Sequence, residues 1–407
     1  MKSIFGYSRR KLLSDGLVSL IYFSPKRSKS VLVCGLAASG SLYINTSPPE
    51  ISSPRLAEFF KRKTVKHIAA GFGFSVCSSK NCIYGAGINI FDNLSIKNPG
   101  LHWLKSDCGG VFKIDMKEKV ISLSAGRRHF LVATEDNVYS FGDNTHGQCG
   151  FDPKQLPFLL PNKDELNEPL RIPSSSKVQQ VHCSFDTSFI LLKSGEIFSF
   201  GLGTDGQLGR GLMNYDWKCL PFGENLNLSS EKITSISGSS DTLMAVSNGG
   251  RLFMWGQNEY GQMKAFCNKM QVHEPLEIKL DIGKVIQAAS TATSCIVLSS
   301  TGHVYVWGFG ILGLGPNVTC IHKPMLIDSN IFRCGLNDNG KVKDIFAGNI
   351  SMFAISDNDN LFSWGVNRYC HLGLGHKKDQ FFPFQVNLRS SPRSVSVAPD
   401  HTLIFVK

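Results

Sequence analysis

The sequence predicts an all-β chain folded as a seven-bladed β-propeller, its last blade closed by strands from both ends. Three observations carry this. A short alternating strand ending in an aromatic-Gly corner returns seven times. The copies lie 50 to 59 residues apart, and self-similarity at such a period marks stacked or ring-shaped repeat folds. The C-terminal end carries the first half of one more unit, whose second half stands near the N-terminal end.

The strand is clearest at residues 302–308, G-H-V-Y-V-W-G. Residues 137–142 read N-V-Y-S-F-G, 196–201 E-I-F-S-F-G, 251–256 R-L-F-M-W-G and 360–365 N-L-F-S-W-G. Residues 82–85, C-I-Y-G, and 31–35, V-L-V-C-G, are weaker copies. The corner glycines are then Gly35, Gly85, Gly142, Gly201, Gly256, Gly308 and Gly365.

Two apolar runs precede each corner strand, such as 285–289 and 295–298 before Trp307. They are short, partly β-branched and bounded by Gly and Ser, which favours strands over helices. Two-residue links such as Ser194-Gly195 and Gly249-Gly250 suit hairpins, because Gly reaches positive φ without a Cβ clash. After the corner comes N-x-x-G-Q-L-G or a relative, as in N-T-H-G-Q-C-G at 144–150. Each unit is therefore about four antiparallel strands. One such sheet cannot bury both faces, but a radial ring of sheets does, leaving few exposed edges. Residues 395–397 and 401–406 supply the first two strands of a unit, and 30–35 supplies its corner strand. The stretches 42–63, 88–119, 151–177, 214–227 and 317–341 are polar or broken by Pro and Gly, and read as links and loops. Residues 54–63 carry a turn or two of helix on this reading.

Residues 31–407 thus form one propeller, preceded by a distinct leader. In residues 1–30, Lys2, Arg9, Arg10, Lys11, Lys26, Arg27 and Lys29 stand against Asp15 alone. This stretch holds more than half of the formal +11 charge and leaves the body mildly basic. The composition is that of a mitochondrial transit peptide; a secretory signal and an uncleaved tail are the alternatives. No apolar run reaches the ~18 residues of a membrane span. The twelve cysteines are scattered without C-x-x-C or zinc-type spacing, and read as small buried hydrophobes in a reducing compartment.

Two stretches, 201–206 and 308–313, satisfy G-x-G-x-x-G. A phosphate loop needs a helix directly afterwards, whereas repeat consensus follows here, so no cofactor is expected. No metal site and no set of nucleophile, base and oxyanion donors is visible, and the chain does not read as an enzyme. The recurring aromatics, among them Phe200, Trp255, Trp307 and Trp364, read as core between blades.

Taken together, G-x-x-H-[ST]-L-x-L, a Gly turn, V-Y-[ST]-[WF]-G and N-x-x-G-Q-L-G resemble the regulator of chromosome condensation repeat. The resemblance spans residues 31–406. Residues 302–317, 70–80 and 379–386 resemble in particular a mitochondrial member of that family. It implies a guanine nucleotide exchange factor or GTPase regulator in mitochondria, in the matrix or associated peripherally with the inner membrane. The implied partner is the dynamin-related inner-membrane fusion GTPase. The alternative is a scaffold that binds rRNA or assembly factors of the large mitochondrial ribosomal subunit. The family's exchange face includes the acidic residue just before the G-x-x-H histidine. That slot holds Asp186, Asp241 and Asp400 here, the last followed by His401. It holds Arg128, after Arg127 and before His129, in another unit, a departure from the pattern. Cys370 stands where the family's N-Y-H-Q-L-G has histidine, a second departure. Arg127, Arg128, His129, Asp186, Asp241, Asp400 and His401 are the candidate partner-binding residues. Ordinary turn chemistry accounts for the three aspartates equally well.

Overall fold

Seven four-stranded antiparallel sheets make up the fold of the computed structural model. It describes residues 30–44, 48–88, 111–159, 168–223, 226, 228, 230–336 and 338–407. The expected leader, residues 1–30, lies outside the described residues except for Ser30. We number the blades 1 to 7 in chain order from residue 67, and name their strands a to d from the centre outwards. The a strands are His67–Gly71, Ser122–Ala125, Val178–Cys183, Ile233–Ser237, Val285–Ser290, Val342–Ala347 and Pro392–Val397. They line a central cavity of about 510 Å³.

Blade 7 has the expected composite construction. Its a and b strands, Pro392–Val397 and His401–Val406, come from the C-terminal end. Its c and d strands, Ser30–Leu36 and Glu50–Leu56, come from the N-terminal end. The two ends pair in continuous register, from Ser30 opposite Val406 to Gly35 opposite His401.

Each part of the repeated motif has a physical task. In the c strands, Ser140, Ser199 and Ser363 donate to the carbonyls of Cys149, Leu208 and Leu372, bracing the loop that follows. The next aromatic fills the gap between blades: Trp255, Trp307 and Trp364 are fully buried. Burying one such side chain contributes ~1.5–3 kcal/mol. The indole N–H of Trp255 reaches the Gln207 carbonyl of the preceding blade at 2.9 Å, and that of Trp307 reaches Gln262 at 2.6 Å. The corner glycine then turns at positive φ, 114° at Gly201, where an added Cβ would strike the Asp186 carbonyl.

That geometry corrects one assignment. In blade 1 the corner is Gly87, not Gly85. Gly87 has φ 120° and pairs with Phe74, and an added Cβ there would strike the Gly73 carbonyl. Gly85 lies inside the strand Cys82–Gly87, two residues short of the bend.

The outer strands correct another. The stretches expected to be loops contain the d strands Val111–Asp115, Phe158–Leu159, Tyr215–Phe222 and Cys320–Leu326. Residues 54–63 hold the end of a d strand and a single 3₁₀ turn, Glu58–Phe60. Five d strands carry a proline inside them: Pro54, Pro221, Pro275, Pro324 and Pro383. Proline lacks the N–H a central strand must donate, so it is tolerated where one side of the strand is unpaired. It also blocks the open edge from recruiting another strand.

At the centre, polar side chains suture neighbouring a strands. Gln180 of blade 3 donates to the Ile236 carbonyl and accepts from its N–H, at 2.8 and 3.1 Å. Gln287 of blade 5 does the same to Ile345 of blade 6. Ser124 accepts from Cys183, and Ser396 accepts from Ala70 across the closure. These bonds satisfy backbone groups that the ring would otherwise bury unpaired.

Candidate interaction face

In a four-stranded antiparallel blade the a–b and c–d links lie at one end, and the b–c link lies at the other. All seven slots before the b strands therefore share one face, which we call the slot face. Their residues are Gly73, Arg128, Asp186, Asp241, Thr293, Ile350 and Asp400. Every slot carbonyl accepts the N–H of the residue after its corner glycine. The donors are Ile88, Asp143, Leu202, Gln257, Phe309, Val366 and Leu36, at 2.8 to 3.1 Å. The backbone is pinned identically seven times, and the slot side chain is free to differ.

The loops beside the slots are equally built. Asn144, Asn258 and Asn367 each accept from a loop N–H (Cys149, Met263, Leu372). Their amide nitrogens donate to loop carbonyls further on, including Leu156, Lys269 and His376. Gln148, Gln207 and Gln262 cap the N–H two residues back. In blade 6 the turn position held elsewhere by Gly147, Gly206 and Gly261 is Cys370, at φ 62°. His371 fills the glutamine position beside it. It is buried, both ring nitrogens lack a partner, and burial presses it down to about 4.

The candidate residues fall into two groups. Arg127, Arg128, Asp186 and Asp241 occupy the slot face across blades 2 to 4. Arg127 forms a two-pronged ion pair with Asp186, which is only 2 % exposed. Burial pushes the Asp186 carboxyl up, and Arg127 offsets part of that. Arg128 lies 3.6 Å from Asp143. Among the described residues no cation pairs with Asp241. Burial first, then the charges of Asp205 and Asp186, push it up to about 6. Gln207 and Ser240 hydrogen-bond to it at 3.1 and 3.3 Å.

His129 and His401 are fully buried and pin blades together, so their side chains are not available to a partner. The reason is their place as first residue of the b strand, whose side chain points into the next blade. His129 Nε2 meets Ser188 Oγ of blade 3 at 2.8 Å, and Ser188 donates to the Gln148 carbonyl. The network thus assigns the proton to Nε2 and leaves Nδ1 without a partner. Burial, then Arg127, lowers His129 to about 3. His401 Nε2 meets Ser75 Oγ of blade 1 at 2.7 Å, and its Nδ1 meets Asp400 at 3.0 Å. Burial alone would raise the Asp400 carboxyl. His401 and the Gly73 N–H outweigh it, and the carboxyl sits below the usual range. The Ser75–His401–Asp400 array has the order of a hydrolase triad, but Ser75 is wholly buried and no substrate can reach it.

Sequence reasoning missed an exposed aromatic pair on this face. Tyr260 and Phe309 stack with centroids 6.1 Å apart, 41% and 46% exposed. Both stand at variable positions after a corner glycine, where the motif carries no signal.

Comparison with known proteins agrees with this geometry. Residues 135–191 and 358–405 match the Regulator of chromosome condensation (RCC1) repeat, and a second RCC1 repeat description matches 120–148 and 233–262. The human RCC1-like G exchanging factor-like protein is 31% identical, over 94% of this chain and 87% of its own length. The chain belongs to the RCC1 repeat family. The mouse RCC1-like G exchanging factor-like protein is also 31% identical, over 94% of this chain and 88% of its own. The crystal structure of human WBSCR16 superimposes with a TM-score of 0.83 at 30% identity, covering 93% of this chain and all of that one. Yeast RCC1 (Prp20), solved with Kap60, shares the fold at a TM-score of 0.76 and 18% identity, over 93% and 89% of the two chains. Among the described residues no helix is long and apolar enough to cross a membrane.

Proposed function

We propose that this propeller regulates a GTPase through its slot face, by holding the nucleotide-free form more tightly than the loaded form. No covalent step is needed, because the difference in affinity between the two forms ejects the nucleotide. The observation that carries the reading is Asp241, a carboxylate without a cation beside the Arg127–Asp186 pair. A GTPase lysine or magnesium brought to Asp241 compensates its buried negative charge, and partner binding releases a proton there only at pH near or below about 6. Tyr260 and Phe309 supply apolar contact on the same face. The likeness to proteins named exchanging-factor-like supports the same reading.

The proposed place is the mitochondrion, and the proposed partner is the dynamin-related inner-membrane fusion GTPase. The acid-poor basic stretch 1–30 supports this. The test is nucleotide release from that GTPase with purified full-length chain. We expect faster release, and an acceleration reduced about tenfold by Asp241→Asn, a loss of ~1.4 kcal/mol of coupling. A flat release curve at saturating protein removes the reading. Residues 1–30 fused to a reporter should carry it to mitochondria; a diffuse cytosolic signal refutes that part.

A further inference from the structure

The outer wall of the ring holds a cavity that exchange does not use. It opens between the d strands of blades 3 and 4, Tyr215–Phe222 and Gln271–Ile278, and measures about 440 Å³. Small-molecule sites run from roughly 300 to 1,000 Å³. Leu220, Phe222, Leu226 and Pro275 give the cavity apolar walls. Two charged residues also line it, Arg210 and Glu274.

Arg210 breaks the pattern of its own loop. At the same place after the loop glycine, blades 2, 5 and 6 have Phe151, Leu314 and Leu374, all packed against core. In blade 3 a guanidinium takes that place, with its side chain only 9% exposed. Gly209 before it turns at φ 71°, and an added Cβ there would strike the Phe222 ring. The guanidinium is held in one orientation. Its Nε and Nη2 donate to the Ser199 hydroxyl and carbonyl at 3.1 and 3.3 Å, and Nη1 donates to Asp216 at 2.9 Å. A guanidinium carries five N–H groups. One on each terminal nitrogen is therefore left over, and no further acceptor among the described residues meets them. Such a fork suits a carboxylate, whose two oxygens accept side by side.

Glu274 decides what must accompany that carboxylate. It is exposed on the blade 4 side, and among the described residues no cation pairs with it. Arg210 is already balanced by Asp216. A simple anion would therefore add to the negative charge of Glu274. A ligand that brings its own cation instead makes the charges alternate: Asp216, Arg210, ligand carboxylate, ligand ammonium, Glu274. Opposite charges as nearest neighbours are the favourable order.

We propose that this cavity binds a free α-amino acid with an apolar side chain. Its carboxylate meets Arg210, its ammonium faces Glu274, and its side chain lies among Leu220, Phe222, Leu226 and Pro275. Leu220 pairs with Ser199 midway along the blade, so the site stands apart from the slots and its occupancy can be read without a GTPase.

The experiment is calorimetry and ligand-detected NMR of full-length chain with L-phenylalanine and L-leucine. We expect saturable binding of at least one, at one site per chain. Two derivatives of the tighter ligand separate a free amino acid from the end of a partner chain. The N-acetyl form lacks the cation and stands for a last residue; the amide lacks the carboxylate and stands for a first residue. Each should bind at least ~10-fold more weakly than the free amino acid. Glu274→Gln should weaken the free amino acid about tenfold and spare the N-acetyl form. Leu220→Trp should fill the cavity and abolish binding. Arg210→Gln should abolish it too, but also removes a brace between strands, so Glu274→Gln and Leu220→Trp decide the matter, with urea midpoints matching the parent's. No binding of either amino acid at millimolar concentration overturns the proposal. So does a derivative that binds as tightly as the free form, or an affinity unchanged in both deciding variants.

Discussion

Two seams of the ring use one device in opposite ways. Between blades 2 and 3, His129 donates from Nε2 to Ser188 and its other nitrogen meets nothing. Between blades 7 and 1, His401 bonds Ser75 through Nε2 while Nδ1 rests on Asp400. The difference lies in the preceding residue, arginine in one slot and aspartate in the other. An arginine-rich slot leaves a bare imidazole under positive potential. An aspartate slot makes a three-membered chain that also takes the Gly73 N–H. The seam that closes the ring is the better satisfied of the two. The same slot aspartate thus has different tasks: seam anchor at Asp400, ion-pair partner at Asp186, unpaired carboxylate at Asp241.

His401→Ala should break this contrast most severely. It strands Asp400 and Ser75 in the interior, and we expect a loss of about 4 kcal/mol in urea unfolding. His129→Ala should cost about 2 kcal/mol, because Ser188 keeps its bond to Gln148. Equal losses would show that Asp400 adds nothing to the closing seam.

The next effect is on pH. The folded chain holds His129 near about 3, while an unfolded histidine titrates near ~6.5. Between those values the unfolded chain takes a proton that the fold refuses. Stability therefore falls as pH drops below ~6.5, by up to ~1.4 kcal/mol per unit from this residue. His129→Gln should flatten that slope between pH 7 and 5, read from urea midpoints. An unchanged slope would show that the buried imidazole is not the source.

The smallest effect is a gain. Asp241 is raised to about 6 in the fold against ~3.9 unfolded, so the fold is favoured at low pH and that advantage is lost as pH rises through 6. Asp241→Asn should stabilise by about 1–2 kcal/mol at pH 8, discounted for the carboxylate's partial solvent access, and by almost nothing at pH 4. The same substitution should weaken exchange. A variant that is both more stable and fully active would leave Asp241 with no role in the partner site.

The ring and its composite blade were legible because core positions repeat: the corner glycine solves one steric problem seven times, the c-strand aromatic fills the same gap in five blades, and the loop asparagine makes the same bonds in three. Gly85 was mistaken for Gly87 because blade 1 has glycine at both positions, and only the pairing of Phe74 with Gly87 separates them. The d strands were read as loops because one side of each faces solvent, so Tyr215–Phe222 and Cys320–Leu326 show neither alternation nor freedom from proline. The site was legible as a set of positions but not as a set of roles. That His129 and His401 turn inward while Asp241 stays without a cation depends on neighbours 34 to 326 residues away, such as Gln207 and Ser75.

The pairing of Ser30 with Val406 places the first described residue beside the last strand's end at one rim. A short bridge from Lys407 to Ser30 would make the propeller's backbone a continuous loop, and new ends could be cut at any exposed b–c hairpin without touching the slots. During synthesis the reverse holds. Six wedges can assemble as they emerge, yet the first strand made, paired to its neighbour on one side, must wait with its other edge open for the last one.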